Sequence, residues 1–171
     1  MAIEKNRIEI AKLIISHGVE LNARLNDKGQ SALHYSASLN RKEIIQALLS
    51  KGAYVFIQDN YGRTPLHCAA LEGSTEAAKI LISYGANVNT QDDYGRTPLH
   101  CAWKINMALI FVLTSHGASI KAKDKYVFTP IDIIMEMNGL FKLLFLLWKY
   151  APWYLKLFII SIIMILWQKW K

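Results

Sequence analysis

The sequence predicts an all-α fold: a solenoid of stacked helix pairs with β-turn fingers, followed by a hydrophobic C-terminal helix. Three observations carry that prediction. The nine residues YGRTPLHCA occur at 61–69 and again, unchanged, at 94–102. Gly29, Gly62 and Gly95 are 33 residues apart, as are Leu33, Leu66 and Leu99, and His34, His67 and His100. From residue 140 onward the chain turns apolar and holds 5 of the 20 Lys/Arg but none of the 13 Asp/Glu.

The unit is clearest at 59–91, DNYGRTPLHCAALEGSTEAAKILISYGANVNTQ. DNYG reads as a tight turn in which Gly62 takes the positive φ that other residues avoid. Thr64 is placed to cap the first helix, and Pro65 suits its first position, where the backbone N–H has no partner in any case. That helix is short and ends near Gly73. A second runs from about Thr75 to Ser83 with Ala77, Ala78, Ile80, Leu81 and Ile82 as its apolar side, and Gly85 ends it as a left-handed cap. Two such helices cannot bury their apolar faces alone, whereas stacked copies can.

This pattern resembles the ankyrin repeat, a turn, helix, loop, helix unit with a T-P-L-H-x-A signature. The resemblance divides the chain into a partial unit at 1–25, repeats at 26–58, 59–91 and 92–123, a degenerate repeat at 124–150 and a tail at 151–171. In 26–58, Ser31-Ala32-Leu33-His34 replaces TPLH. In 124–150, Phe128-Thr129-Pro130-Ile131-Asp132 lacks the histidine and Val127 takes the place of the turn glycine. Residues 1–25 parallel only an outer helix and exit loop, NRIEIAKLIISHG matching NRKEIIQALLSKG.

Histidine beside cysteine raises the question of chemistry. The resemblance implies that Thr64, Pro65, Leu66 and His67, with Thr97, Pro98, Leu99 and His100, are structural, each imidazole bonding groups of neighbouring loops. Units stacked ~10 Å apart hold Cys68 and Cys101 too far apart for a disulfide, which needs Cα atoms within ~7 Å. A parallel ladder also does not converge four zinc ligands. No GxSxG, HExxH or phosphate-binding glycine loop is present. Acids such as Asp92 and Asp93 are expected in solvated turns, with no cause for a shifted pKa. The expectation is therefore no enzyme, no catalytic residue, no metal, no cofactor and no small-molecule substrate. The basic residues gather in an apolar tail rather than on a solvated face, which argues against nucleic acid.

Ankyrin arrays generally bind proteins through turn tips and inner helices, so the resemblance points to another protein as partner. Here the tips are Asp59, Asn60, Tyr61 and Arg63, then Asp92, Asp93, Tyr94 and Arg96. The inner helices add Tyr35, Leu71, Glu72, Trp103 and Lys104. Tyr, Trp and Arg are the residue types that most often dominate interface energies.

The tail reads LFKLLFLLWKYAPWYLKLFIISIIMILWQKWK. A last outer helix is expected at about 140–150. Lys142, Lys149 and Lys156 are spaced by seven, but the next positions in that series are Ile163 and Trp170, so no polar face persists. Trp153 to Trp170 would cover ~26 Å as a helix, slightly short of a ~30 Å hydrocarbon core. Its nine Leu/Ile/Phe residues between 155 and 166 favour insertion by roughly 4 kcal/mol. A mid-membrane lysine costs about 3 kcal/mol, and Lys156 lies near the end, where it can snorkel. Trp153, Lys156, Trp167 and Trp170 are the expected anchors.

The sequence thus predicts a non-enzymatic adaptor held at a membrane by its tail, with membrane lipid as a second partner and the repeats facing the cytosol. A mixed-charge start without an apolar core implies no signal peptide. Two other readings remain open: a fragment of a larger membrane protein of channel or palmitoyl-transferase type, and a soluble adaptor whose tail oligomerises.

Overall fold

Among the described residues seven helices follow one another, the first six as antiparallel pairs, each pair joined to the next by a turn finger. The computed structural model describes residues 13–17, 20–102 and 106–137, and the predicted outer helix at 140–150 and tail at 151–171 lie outside them. The helices are α1 (Ala32–Ser38), α2 (Lys42–Ser50), α3 (Pro65–Glu72), α4 (Thr75–Ser83), α5 (Pro98–Cys101), α6 (Met107–Ser115) and α7 (Pro130–Met137). A helical turn at 13–16 precedes them. There is no strand among the described residues. The inner helices α1, α3, α5 and α7 stack in order, and the outer helices α2, α4 and α6 stack behind them.

The core runs along the stack as one seam. Leu33, Leu66 and Leu99 occupy it from the inner helices, and Ile44, Ile45, Leu48, Ala77, Ala78, Leu81, Leu109 and Leu113 from the outer ones. The small Ala69, Ala70, Ala77 and Ala78 are wholly buried, which lets α3 and α4 approach their neighbours closely. Burying each Leu or Ile side chain stabilises the fold by ~1.5–3 kcal/mol.

Three of the four inner helices, α1, α3 and α5, begin with the same device. Thr64 is the N-cap of α3 in extended conformation, Pro65 opens the helix, and His67 closes a capping box with Thr64. The Thr64 N–H donates to His67 Nδ1 at 3.1 Å, and the hydroxyl lies 2.9 Å from the same nitrogen. Thr97 with His100 and Ser31 with His34 repeat it. Gly73 ends α3 in the left-handed conformation at φ 70°, and Gly85, the expected left-handed cap, follows α4 at φ 91°.

Candidate protein-binding face

The finger is built around one aspartate. Asp59 Oδ1 accepts the N–H groups of Tyr61 (2.9 Å) and Arg63 (3.0 Å), while Oδ2 accepts Arg63 Nε (2.9 Å) and Nη2 (2.7 Å). Asp92 does the same with Tyr94 and Arg96. Asp124 Oδ1 bonds the Tyr126 and Phe128 amides, and Asn26 Oδ1 those of Lys28 and Gln30. The carboxylates of Asp59 and Asp92 have no solvent exposure. This corrects the expectation of a solvated Asp92, while Asp93 beside it is exposed. The reason is local: the turn needs an acceptor for its inward amides, and the arginine four residues on folds back over it. Burial alone would raise the Asp59 pKa, but the Arg63 side chain and the Tyr61 and Arg63 amides outweigh it and hold the carboxyl below its usual range.

That fold-back orders the exposed tip. The Arg63 guanidinium lies over the Tyr61 ring at 4.7 Å, and Arg96 over Tyr94 at 4.8 Å. The two rings remain 39% and 41% exposed. Each finger takes one backbone bond from the next. The Asn60 N–H donates to Lys28 O, Asp93 N–H to Tyr61 O and Lys125 N–H to Tyr94 O, at 2.9 to 3.0 Å. The tips therefore form a row with fixed register.

Behind the row the histidines bind unit to unit. Nδ1 already accepts a backbone N–H, so the proton sits on Nε2 and donates outward. His34 reaches Arg63 O (2.9 Å), His67 reaches Arg96 O (2.9 Å) and His100 reaches Phe128 O (3.1 Å). Burial lowers all three pKa values and favours the neutral ring. Cys68 and Cys101 are free, buried thiols. Burial pushes each up to about 12, far from the thiolate that nucleophilic or metal chemistry needs. Among the described residues no group of three His, Cys, Asp or Glu is disposed to hold a metal ion.

The fourth repeat departs from the pattern in two coupled ways. Asp132 replaces the histidine, and its Oδ2 accepts the Thr129 N–H (2.9 Å) and hydroxyl (2.7 Å), which lower its pKa. A carboxylate has no N–H to offer a further finger. Val127 stands at the turn-glycine position with φ 71° and is 64% exposed. At Gly62 a Cβ would meet the Asp93 N at 2.8 Å, because the next finger stacks on it. Among the described residues nothing stacks on Val127.

The other expected contact residues divide. Asn60 is exposed at its tip, its Nδ2 donating to Asp27 O (2.9 Å) and its Oδ1 accepting from Arg24. Leu71 is half-buried against the core, as is Tyr35, and Glu72 is exposed at the end of α3. Trp103, Lys104, Trp153, Lys156, Trp167 and Trp170 lie outside the described residues. Two features were passed over in the sequence. Tyr126 continues the tyrosine row of Tyr61 and Tyr94, and its spacing of 32 from Tyr94 was the available signal. Tyr54 and Phe56 form an exposed stacked pair, 6.0 Å between ring centres, in an exit loop.

A helical-repeat scaffold with one ordered row of tips is the class of protein that this fold and face define. The comparisons with known proteins agree. A family model described as ankyrin repeats (3 copies) matches residues 1–59 and again 52–124, and the chain belongs to the ankyrin-repeat family. It is 38% identical over 58 residues to an ankyrin-repeat protein of Acanthamoeba polyphaga mimivirus, covering 33% of this chain and 8% of that one. It is 38% identical over 64 residues to the neurogenic locus Notch protein of Drosophila melanogaster, covering 36% of this chain and 2% of that one. The chain thus matches less than a tenth of either relative's length. Ankyrin repeats are protein-interaction scaffolds, which is the general role this membership assigns.

Proposed function

We propose that the chain is a non-enzymatic adaptor that captures a protein on the Tyr61, Tyr94 and Tyr126 row and the adjoining inner helices. The observation that carries this reading is the division of labour in the fingers. Asp59 and Asp92 are consumed inside the turn, while Tyr61 and Tyr94 lie ordered under the half-buried Arg63 and Arg96 and remain exposed. Pre-ordered aromatic and arginine side chains bind with little further loss of rotamer freedom. Asn60, Asp93, Leu71, Glu72, Trp103 and Lys104 are the flanking contacts in this proposal. The test is alanine at Tyr61 and Tyr94. Loss of about 2 kcal/mol at each ring weakens capture ~30-fold per site. Unchanged thermal stability accompanies that loss if the rings bind a partner. Unfolding of the double variant, or capture at wild-type strength, removes the rings from the partner face.

The same proposal places the repeats in the cytosol, held at a membrane by 151–171. Its support is the sequence: an acid-free apolar run framed by Trp153, Trp167 and Trp170, with Lys169 and Lys171 beyond. Among the described residues no helix is long and apolar enough to cross a membrane. Alkaline carbonate extraction and flotation of the full chain, beside one stopped after Tyr150, test it. The full chain alone should remain with lipid. Equal solubility of the two leaves a soluble adaptor whose tail packs on protein.

A further inference from the structure

Repeats of one pattern supply their own controls. The outward position held by Gln46 on α2 and by Lys79 on α4 is held on α6 by Phe111, 33 and then 32 residues on. One turn earlier, Lys42 and Thr75 give way to Met107, and Glu43 and Glu76 to Ala108. On α4, Glu76 and Lys79 are exposed and paired, Lys79 Nζ to Glu76 at 2.6 Å, while Thr75 is half-buried. On α6 the same positions leave Phe111 71% and Met107 54% exposed, while Leu109, Val112 and Leu113 supply its buried side. The fold has no use for a phenylalanine there, since its two neighbours manage with Gln and Lys.

The charge of this repeat changes with it. No Asp or Glu lies between Asp93 and Asp124, and Lys121 and Lys123 follow α6, both exposed. Asp124 is turned into its own finger. We propose that the outward face of α6, made by Met107 and Phe111 and followed along the chain by the exposed Lys121 and Lys123, docks on an anionic lipid surface. Apolar side chains enter the headgroup boundary while the lysines meet acidic headgroups. This rests on the membrane reading above. Two apolar side chains hold a free protein weakly, but a chain already anchored is presented to the bilayer at high effective concentration. Because α6 packs with its other side on α4 and α5, this docking turns the inner helices and tyrosine row away from the lipid. The partner face is left open.

The buried native thiols allow a direct test on the full chain. Phe111→Cys, and separately Lys79→Cys, is labelled with a polarity-sensitive fluorophore and synthesised with vesicles of neutral lipid or of neutral plus acidic phospholipid. With acidic vesicles, emission from 111 should shift to shorter wavelength and be quenched by a lipid-borne quencher. Emission from 79 should stay at its aqueous value. A chain that floats with vesicles while the 111 label stays aqueous overturns this proposal and leaves the anchor intact. A chain that does not float overturns both. A 111 label already shielded before lipid is added shows that protein, the chain's own tail or a second copy, covers this face, and the proposal fails.

Discussion

Mild acid should loosen this array before any carboxylate is titrated. His34, His67 and His100 are wholly or almost wholly buried, and each Nδ1 accepts the N–H of Ser31, Thr64 or Thr97 at 3.0 to 3.1 Å. Protonation puts a hydrogen on that nitrogen, facing a donor, and breaks the capping box. All three pKa values lie below the ordinary 6.5 because burial disfavours the cation. Below 6.5 the unfolded chain therefore takes up protons that the folded one resists. The stability contribution is complete above 6.5 and is lost as pH falls toward the folded-state values. Each histidine contributes a slope of at most about 1.4 kcal/mol per pH unit, so three lose at most about 4 kcal/mol by pH 5.5. Asp59 acts in the same direction but only below 3.8, because its own pKa is lowered. The assay is urea unfolding followed by circular dichroism at intervals from pH 7.5 to 5.5. His67→Gln should be less stable at pH 7.5 and lose about a third of the acid slope. A flat profile over that range, or an unchanged slope in the variant, would refute the neutral-histidine ladder.

Gly62→Ala should destabilise by about 2–4 kcal/mol, since φ is 69° and the new Cβ would press on the Asp93 backbone. Val127→Gly should instead raise the melting temperature, gaining about 1 kcal/mol from relieved left-handed strain with no finger to be disturbed. Asp59→Asn leaves Arg63 without its carboxylate and should cost about 2–4 kcal/mol, read from the urea midpoint. Cys68 and Cys101 should ignore a thiol reagent at pH 8 in the folded chain and react at once in denaturant, as thiols pushed up to about 12 require.

The repeat, the helix ends and the inner ladder were legible because they depend on local chemistry. A turn glycine, a threonine followed by proline and a histidine at the third helical position specify the same cap wherever they recur. The S/T-x-x-D form at Thr129–Asp132 is equally local, an acid taking the N–H and hydroxyl of Thr129 where the other units use histidine. Trp103, Lys104 and the tail anchors rest on the sequence alone.

The periodicity by itself determined that helices pair, stack and cap at these residues, because each rule acts within a few positions of the chain. Only the tertiary structure decided which groups meet water. Asp59 and Asp92 look like surface acids until an arginine folds over them. Val88 and Ile120 hold the same register, yet Val88 is 6% exposed and Ile120 53%. The first lies beneath a stacked neighbour, and among the described residues no outer helix follows α6 to cover the second. A repeat writes the face of a helix into its own letters, but burial belongs to whatever stacks against that face.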